Sequence, residues 1–428
     1  MSERVAFLFP GQGSYLPGAL AEVAGSPAVH EVLTTVDTAA AKYGHSPVSP
    51  LVLDPDSPSL DAMLVDAPDR IQLGIFATSV ALAAMLDTEY GVRPEVVFGH
   101  SFGEVAALTA AGALSVTDGT RMVCERVSAL RRAGLPDGGM VAVELSATRT
   151  EHLLAAVDDW TLALAGENAP RQSLVSGPVS RLDGFTAAAR ALEVTVTKLR
   201  APHAFHNPAQ RAAADLFATG LQDIPIVAPR SKFYSDLHGR FIDSPETISE
   251  LLVEHLVAPV RFLSSMRALH DGGVTRFVEC GARGVLTGLL AQCLPPVTTV
   301  APLRSRAGRE EILALFEIHT SGLPPTKPSA TREDGDARRA EEPVEDLITE
   351  QLRRMYADAL EYPQDVLTDD AELEADLGVD SLKQTSLLSQ ALDHFGVADV
   401  AGDIQPTEYQ TIAAVADLLR ELRSRQAA

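Results

Sequence analysis

The stretch VVFGHSFGEVAALTAA, residues 96–111, decides how the chain is read. Val96 to Phe98 is a short run of bulky apolar residues, the pattern of a buried strand, and Glu104 to Ala111 is rich in helix formers. Between them Gly99-His-Ser-Phe-Gly103 matches GxSxG. Small glycines on both sides permit a sharp strand-to-helix corner that lifts the Ser101 hydroxyl above the sheet. The helix start beneath it offers the backbone N–H of Phe102 where an oxyanion would form. The pentapeptide alone is weak; the flanking strand and helix make Ser101 a candidate nucleophile.

Working outward, a second apolar strand, Val5 to Phe9, runs into Pro10-Gly-Gln-Gly-Ser14. Ligands of open α/β sheets bind at such carboxyl ends, so Gln12 is a candidate for the oxyanion site. Neither GxGxxG nor GxxxxGK[ST] is completed, which excludes a phosphate loop. From Asp69 to Tyr90, Leu73, Phe76, Val80 and Ala84 recur at helical spacing, predicting a helix with one packed face. Strand-like runs alternating with helical patterns indicate a mostly parallel α/β sheet. From Gly138 the order changes to strand Met140–Leu145, helix Thr150–Val157, strands near Leu162 and at Ser173–Val175, helix 180–192 and strand Val194–Leu199. That order fits a ferredoxin-like subdomain inserted over about residues 136–200.

The chain has 428 residues and a formal net charge of -23, which argues against nucleic acid or an anionic membrane as partner. Charge is uneven: Val344 to Ala428 carries 18 acidic against 6 basic residues, a net of -12, and reads as a separate acidic module. Before it, residues 321–343 hold four prolines and one large apolar residue, Leu323, a linker composition. Cys124, Cys280 and Cys293 show no metal-ligand spacing and read as buried free thiols of a reducing cytoplasm, with no metal site. The apolar run Val5–Pro10 is short for a signal peptide, and Ala77–Leu86 is well below the roughly 17 residues that span a bilayer. The expected location is cytoplasmic.

In the acidic module Ile348, Leu352 and Met355 share a face, as do Leu388, Leu392 and Phe395, and Ile412–Leu422 forms a third amphipathic run. A small helical bundle of four-helix type follows.

With these motifs in hand, the chain resembles the malonyl-CoA:acyl-carrier-protein transacylase family, in particular the acyltransferase domains of polyketide synthases. FPGQGS at 9–14, IQLGIFATSVAL at 71–82, GHSFGE at 99–104, HAFH at 203–206, APVRF at 258–262 and LALFEIHTSG at 313–322 carry the likeness. It implies an acyltransferase domain over residues 1–320 with an α/β-hydrolase-like large subdomain, Ser101 as nucleophile and His206 as general base. It also implies that Gln12 and the Phe102 amide form the oxyanion hole, and that Arg126 binds a substrate carboxylate. HAFH, which puts Phe205 beside the base, and Phe102 after the nucleophile both resemble malonyl-selecting domains. His255 stands where the family carries an Asn or Gln that orients the base, so it joins the substrate-site residues and the base is expected to be oriented differently here.

Asp376-Leu-Gly-Val-Asp-Ser-Leu382 resembles the attachment motif of acyl carrier proteins, which implies 4'-phosphopantetheine on Ser381 within a carrier domain at 344–428. The implied partners are malonyl-CoA or a related acyl-CoA, the chain's own or a separate acyl carrier protein, a phosphopantetheinyl transferase and ketosynthase-containing synthase subunits. The chain starts almost at its first strand, so a discrete protein working with separate synthase subunits is expected. As a flexible coil the linker would span roughly 25–28 Å, enough for self-loading to be expected. An editing hydrolase and a carrier scaffold with an inactive first domain are the alternatives.

Overall fold

The computed structural model describes residues 4–306, 308–316, 347–360, 373, 379, 381–395, 397 and 409–427. These fall into two compact units, Met1–Leu315 and Phe316–Ala428. Among its described residues the first contains ten strands: β1 (Val5–Phe9), β2 (Val96–Gly99), β3 (Gly138–Val143), β4 (Ala163–Ala169), β5 (Gln172–Pro178), β6 (Val196–Lys198), β7 (Lys232–Ser235), β8 (Arg240–Ile242), β9 (Arg276–Glu279) and β10 (Thr298–Val300).

Six of them form one sheet in the order β10-β9-β1-β2-β7-β8, parallel except for the β7–β8 hairpin. The apolar runs of β1 and β2 suit central strands covered on both faces. Register does the decisive work: Phe9 pairs with Gly99, and Gly99 pairs with Ser235. Three neighbouring strands therefore end level, and the loops beginning at Pro10, His100 and Asp236 leave the same carboxyl edge side by side.

The helix Pro68–Thr88 departs from the one-faced reading. Every residue from Ile71 to Ala83 is buried, because helices Pro27–Ala41, Gly103–Ala110 and Val116–Arg132 all pack around it. It is also longer and more apolar than the run Ala77–Leu86 suggested; by length and composition it could cross a membrane, yet 83% of its most apolar window is buried within this fold. A helix apolar all round is here a core helix.

The remaining strands form an antiparallel sheet in the order β4-β5-β3-β6, packed by helices Ala147–Val157 and Val179–Ala191 around Val141, Val175, Leu182 and Phe185. This is the ferredoxin-like arrangement. Segment Ala258–Phe262 joins the two sheets: Val260 pairs with Gly166 at the β4 edge, and the Arg261 N–H donates to Asp236 Oδ1 at 3.0 Å.

In the second unit, helices Leu347–Leu360, Ser381–His394 and Ile412–Ala427 enclose Leu352, Tyr356, Leu387, Ala391, Ile412 and Leu419. The expected fourth helix and the linker 321–343 lie outside the described residues.

Candidate active site

Ser101 follows β2 by two residues and adopts φ 53°, a left-handed conformation that costs a side-chain-bearing residue on the order of 1–2 kcal/mol. The corner is tight enough to require both flanking glycines. A Cβ at Gly99 would lie 2.3 Å from the Glu104 backbone, and one at Gly103 would lie 2.0 Å from the Phe9 carbonyl. The helix Gly103–Ala110 thus begins directly against the end of β1, with Phe102 as its N-cap residue. The site of a Gly11 Cβ lies 3.6 Å from Ser101 Cβ and 3.8 Å from Phe102 N, which sets the loop of Gln12 against the nucleophile turn.

His206 lies in the segment that follows β6. Its Nε2 is 2.6 Å from Ser101 Oγ and its Nδ1 is 2.9 Å from the carbonyl oxygen of Ala258. A carbonyl only accepts, so Nδ1 carries the hydrogen and Nε2 is left as the acceptor for the serine O–H. His206 too has positive φ, 56°, held by the Asn207 N–H donating to Leu256 O at 3.2 Å and by the Asn207 side chain donating to Thr161 O and Ser176 O at 3.0 Å each. Burial, chiefly, with His255, Arg126 and His100 adding to it, holds the imidazole well below its ordinary value; the Ala258 hydrogen bond opposes. At neutral pH the base is therefore unprotonated and ready to receive a proton.

Gln12 opens a short turn after β1, and its Oε1 accepts from Gln72 Nε2 at 3.2 Å. That leaves Gln12 Nε2 a buried donor with no partner among the described residues. The Phe102 N–H, next to Ser101 in the chain, is the other candidate donor for an oxyanion hole.

Arg126 projects from the helix Val116–Arg132 and is only 2% exposed. Its Nη1 donates to Gln72 Oε1 at 2.7 Å, Nε has no partner among the described residues, and no carboxylate among them pairs with it. The guanidinium lies 5.4 Å from the Phe102 ring centroid and 5.0 Å from that of Phe205. Burial lowers it to about 9, which leaves it cationic at neutral pH. The two phenylalanines singled out in the sequence thus frame the one arginine picked out by register. Gln72 couples Arg126 to Gln12, a role hidden inside IQLGIFATSVAL, where its only signal was a polar residue within an apolar helix.

His255 is 1% exposed, sits edge-on to His206 with centroids 5.7 Å apart, and does not hydrogen-bond it. The backbone of Ala258 orients the base instead. His203 packs edge-on to Phe205 at 5.5 Å. His100 Nδ1 bonds Asp236 Oδ2 at 2.6 Å and so braces the turn; Asp236 had no signal in the sequence. In the second unit Ser381 is the first residue of its helix, a position where backbone N–H groups favour a phosphate; Asp380 lies outside the described residues. Among the described residues no cluster of three metal-ligating side chains occurs.

Residues 6–323 match the acyl transferase domain family and residues 350–419 the phosphopantetheine attachment site family. Polyketide synthase GfsB of Streptomyces halstedii is 34% identical over 359 residues, 79% of this chain and 6% of that one. The pikromycin polyketide synthase component PikAIII of Streptomyces venezuelae is 30% identical over 336 residues, 77% of this chain and 21% of that one. The chain thus spans a small part of the curated relatives it matches. Among solved structures, the acyltransferase domain from the second module of the salinomycin polyketide synthase is 30% identical, with TM-score 0.65 over 74% of this chain and 73% of that chain. The malonyl CoA-acyl carrier protein transacylase of Coxiella burnetii is 25% identical, with TM-score 0.67 over 74% of this chain and 98% of that chain.

Proposed function

We propose that this chain, which belongs to the acyl transferase domain family and carries a phosphopantetheine attachment domain, transfers a malonyl-type unit from CoA to a carrier thiol through an ester on Ser101. The observation that carries the malonyl reading is Arg126: a buried cation without a carboxylate partner, walled by Phe102 and Phe205. A substrate carboxylate would complete it, and a planar guanidinium matches that group in a bidentate fork.

In the first half-reaction Ser101 Oγ attacks the thioester carbonyl while His206 Nε2 takes the hydroxyl proton. Gln12 Nε2 and the Phe102 N–H receive the oxyanion. As the tetrahedral species collapses, the carbon–sulfur bond breaks and His206 returns its proton to the departing CoA thiolate. In the second half-reaction His206 removes the proton of an incoming thiol, the acyl carbon passes from oxygen to sulfur, and Ser101 recovers its hydrogen. Phosphopantetheine on Ser381 would supply such a thiol. Burial favours neutral His206 and suits it to both steps.

Intact-mass analysis after exposure to malonyl-, methylmalonyl- and acetyl-CoA tests the reading. A malonyl adduct on the first unit that moves to a phosphopantetheinylated carrier is expected. Release as free acid would favour the editing hydrolase, and no adduct at all the inactive scaffold. We also propose that the chain loads its own carrier. When intact and Ser101→Ala proteins, both phosphopantetheinylated, are mixed and diluted, the intact chain's carrier should fill at a rate independent of dilution while the variant's lags. Equal filling at every dilution would mean transfer between molecules. Buried free thiols at Cys124, Cys280 and Cys293 fit a cytoplasmic setting.

A further inference from the structure

Behind the reacting residues lies a pair of buried groups that the chemistry above does not use. Glu104, three residues after Ser101 in the first turn of its helix, is fully buried. Its Oε1 accepts the Asp236 N–H at 2.6 Å, whereas Oε2 has no hydrogen-bond partner. His255 caps the helix Pro245–Glu254 and starts the turn that reaches Ala258, whose carbonyl holds His206. His255 Nε2 is equally without a hydrogen-bond partner. The two orphan atoms are 3.3 Å apart, a separation that a small side-chain rotation converts into a hydrogen bond.

Interior acceptors are costly to leave unpaired, and one hydrogen placed between Oε2 and Nε2 satisfies both atoms. We infer that Glu104 and His255 share one proton as a neutral pair, carboxyl donor to imidazole acceptor, and that this bond ties the nucleophile helix to the turn that positions the general base. Both are positioning residues: neither touches the reacting atoms, and each acts through the backbone next to Ser101 or His206.

The surrounding charges support the neutral form. Burial pushes the Glu104 carboxyl up to about 8, the Asp236 charge adding to it and the nearby Ser235 hydroxyl and the Asp236 and Leu237 N–H groups opposing. Burial pushes His255 down to about 3, with Arg126, His100 and His238 in the same sense and Asp236 opposing. His206 is the remaining titratable neighbour, edge-on to His255. At pH 7 the proton therefore stays on Glu104. Above about 8 it is lost, and a buried carboxylate then faces the imidazole lone pair without a hydrogen between them.

The inference rests on the proposed acyl-serine reaction for its kinetic test, and a spectroscopic arm keeps the two separable. Rapid-quench acylation of Ser101 should fall about tenfold on the alkaline side of pH 8. Glu104→Gln, whose amide donates at any pH, should retain the pH 7 rate and lose the fall. Glu104→Ala and His255→Leu should be about tenfold slow at every pH, with circular dichroism reporting that each is folded. Should those two fail to fold, Glu104→Gln still decides: an unchanged alkaline fall in it overturns the pair. Independently of any substrate, infrared difference spectra of the whole chain should show a protonated-carboxyl band at pH 7 that titrates away near 8 and is missing in Glu104→Gln. Absence of that band in the unmodified chain overturns the pair even where acylation proceeds normally.

Discussion

The two units house their serines in opposite ways. Around Ser101 the first unit buries charged and titratable groups: Glu104, Arg126, His206, Asp236, His255 and Glu279 are each at most 2% exposed. In the second unit the buried polar side chains among the described residues are Thr349 and Gln384, neither charged, and the core is otherwise Leu352, Leu387, Leu419 and their apolar neighbours. The contrast follows from the chemistry proposed for each serine. A transferase must shift protons and bind charge in a dry site, so it needs polar groups held in the interior against their desolvation cost. An attachment serine is modified by another enzyme and needs a helix start, not a pocket.

The sharpest way to break this contrast is to delete each serine. Ser101→Ala should abolish the acyl adduct on the first unit and leave phosphopantetheine addition intact, whereas Ser381→Ala should do the reverse; intact mass of both reads the outcome. An adduct persisting on the first unit of Ser101→Ala would refute its role. Next in size, His206→Ala should slow acylation about 10²–10⁴-fold, measured by rapid quench, with no effect on modification of the second unit. Because burial holds His206 below its ordinary 6.5, the acid limb of acylation in the unmodified chain should lie below pH 6.5.

Arg126→Ala sharpens the claim that the first unit buries charge to bind charge. Malonyl transfer should drop roughly 10–100-fold more than acetyl transfer, the size of one lost charge-assisted bond. Equal losses would make Arg126 structural. The smallest effect is in stability. The Glu104 and Glu279 carboxyls are raised from 4.5 to about 8 and about 7, mainly by burial. The folded state then holds more protons than the unfolded one, so this contribution is complete below pH 4.5 and is lost as pH rises to about 8. His206 and His255, shifted down, contribute above 6.5 and lose it toward acid. Toward pH 8, once the unfolded histidines have lost their protons, the carboxyl loss dominates: hydrogen exchange should show the first unit weakening and Glu104→Gln flattening the slope.

Much of this was legible because the signals were local. The corner at Gly99–Gly103, the apolar strands β1 and β2, and the element order of the ferredoxin-like insertion each depend on residues close in sequence. The helix Pro68–Thr88 was misjudged for the converse reason. Spacing of Leu73, Phe76, Val80 and Ala84 describes one face, whereas burial of the other faces depends on three helices from elsewhere in the chain.

The sequence by itself determined the sharp corner at Ser101 and the helix that Ser381 opens, since backbone sterics bind each to its immediate neighbours, whereas His206 and Arg126 were singled out through the family resemblance alone. Only the tertiary structure decided what surrounds them. Asp236 reaches His100 because β7 and β2 end in register, Ala258 meets His206 because its segment bridges two sheets, and Gln72 links Arg126 to Gln12 across a buried helix. Glu104 and His255 lie 3.3 Å apart although 151 positions separate them in sequence. Such contacts depend on parallel register and on burial, which fix which polar atoms must find one another once water is excluded, and no local pattern records that choice.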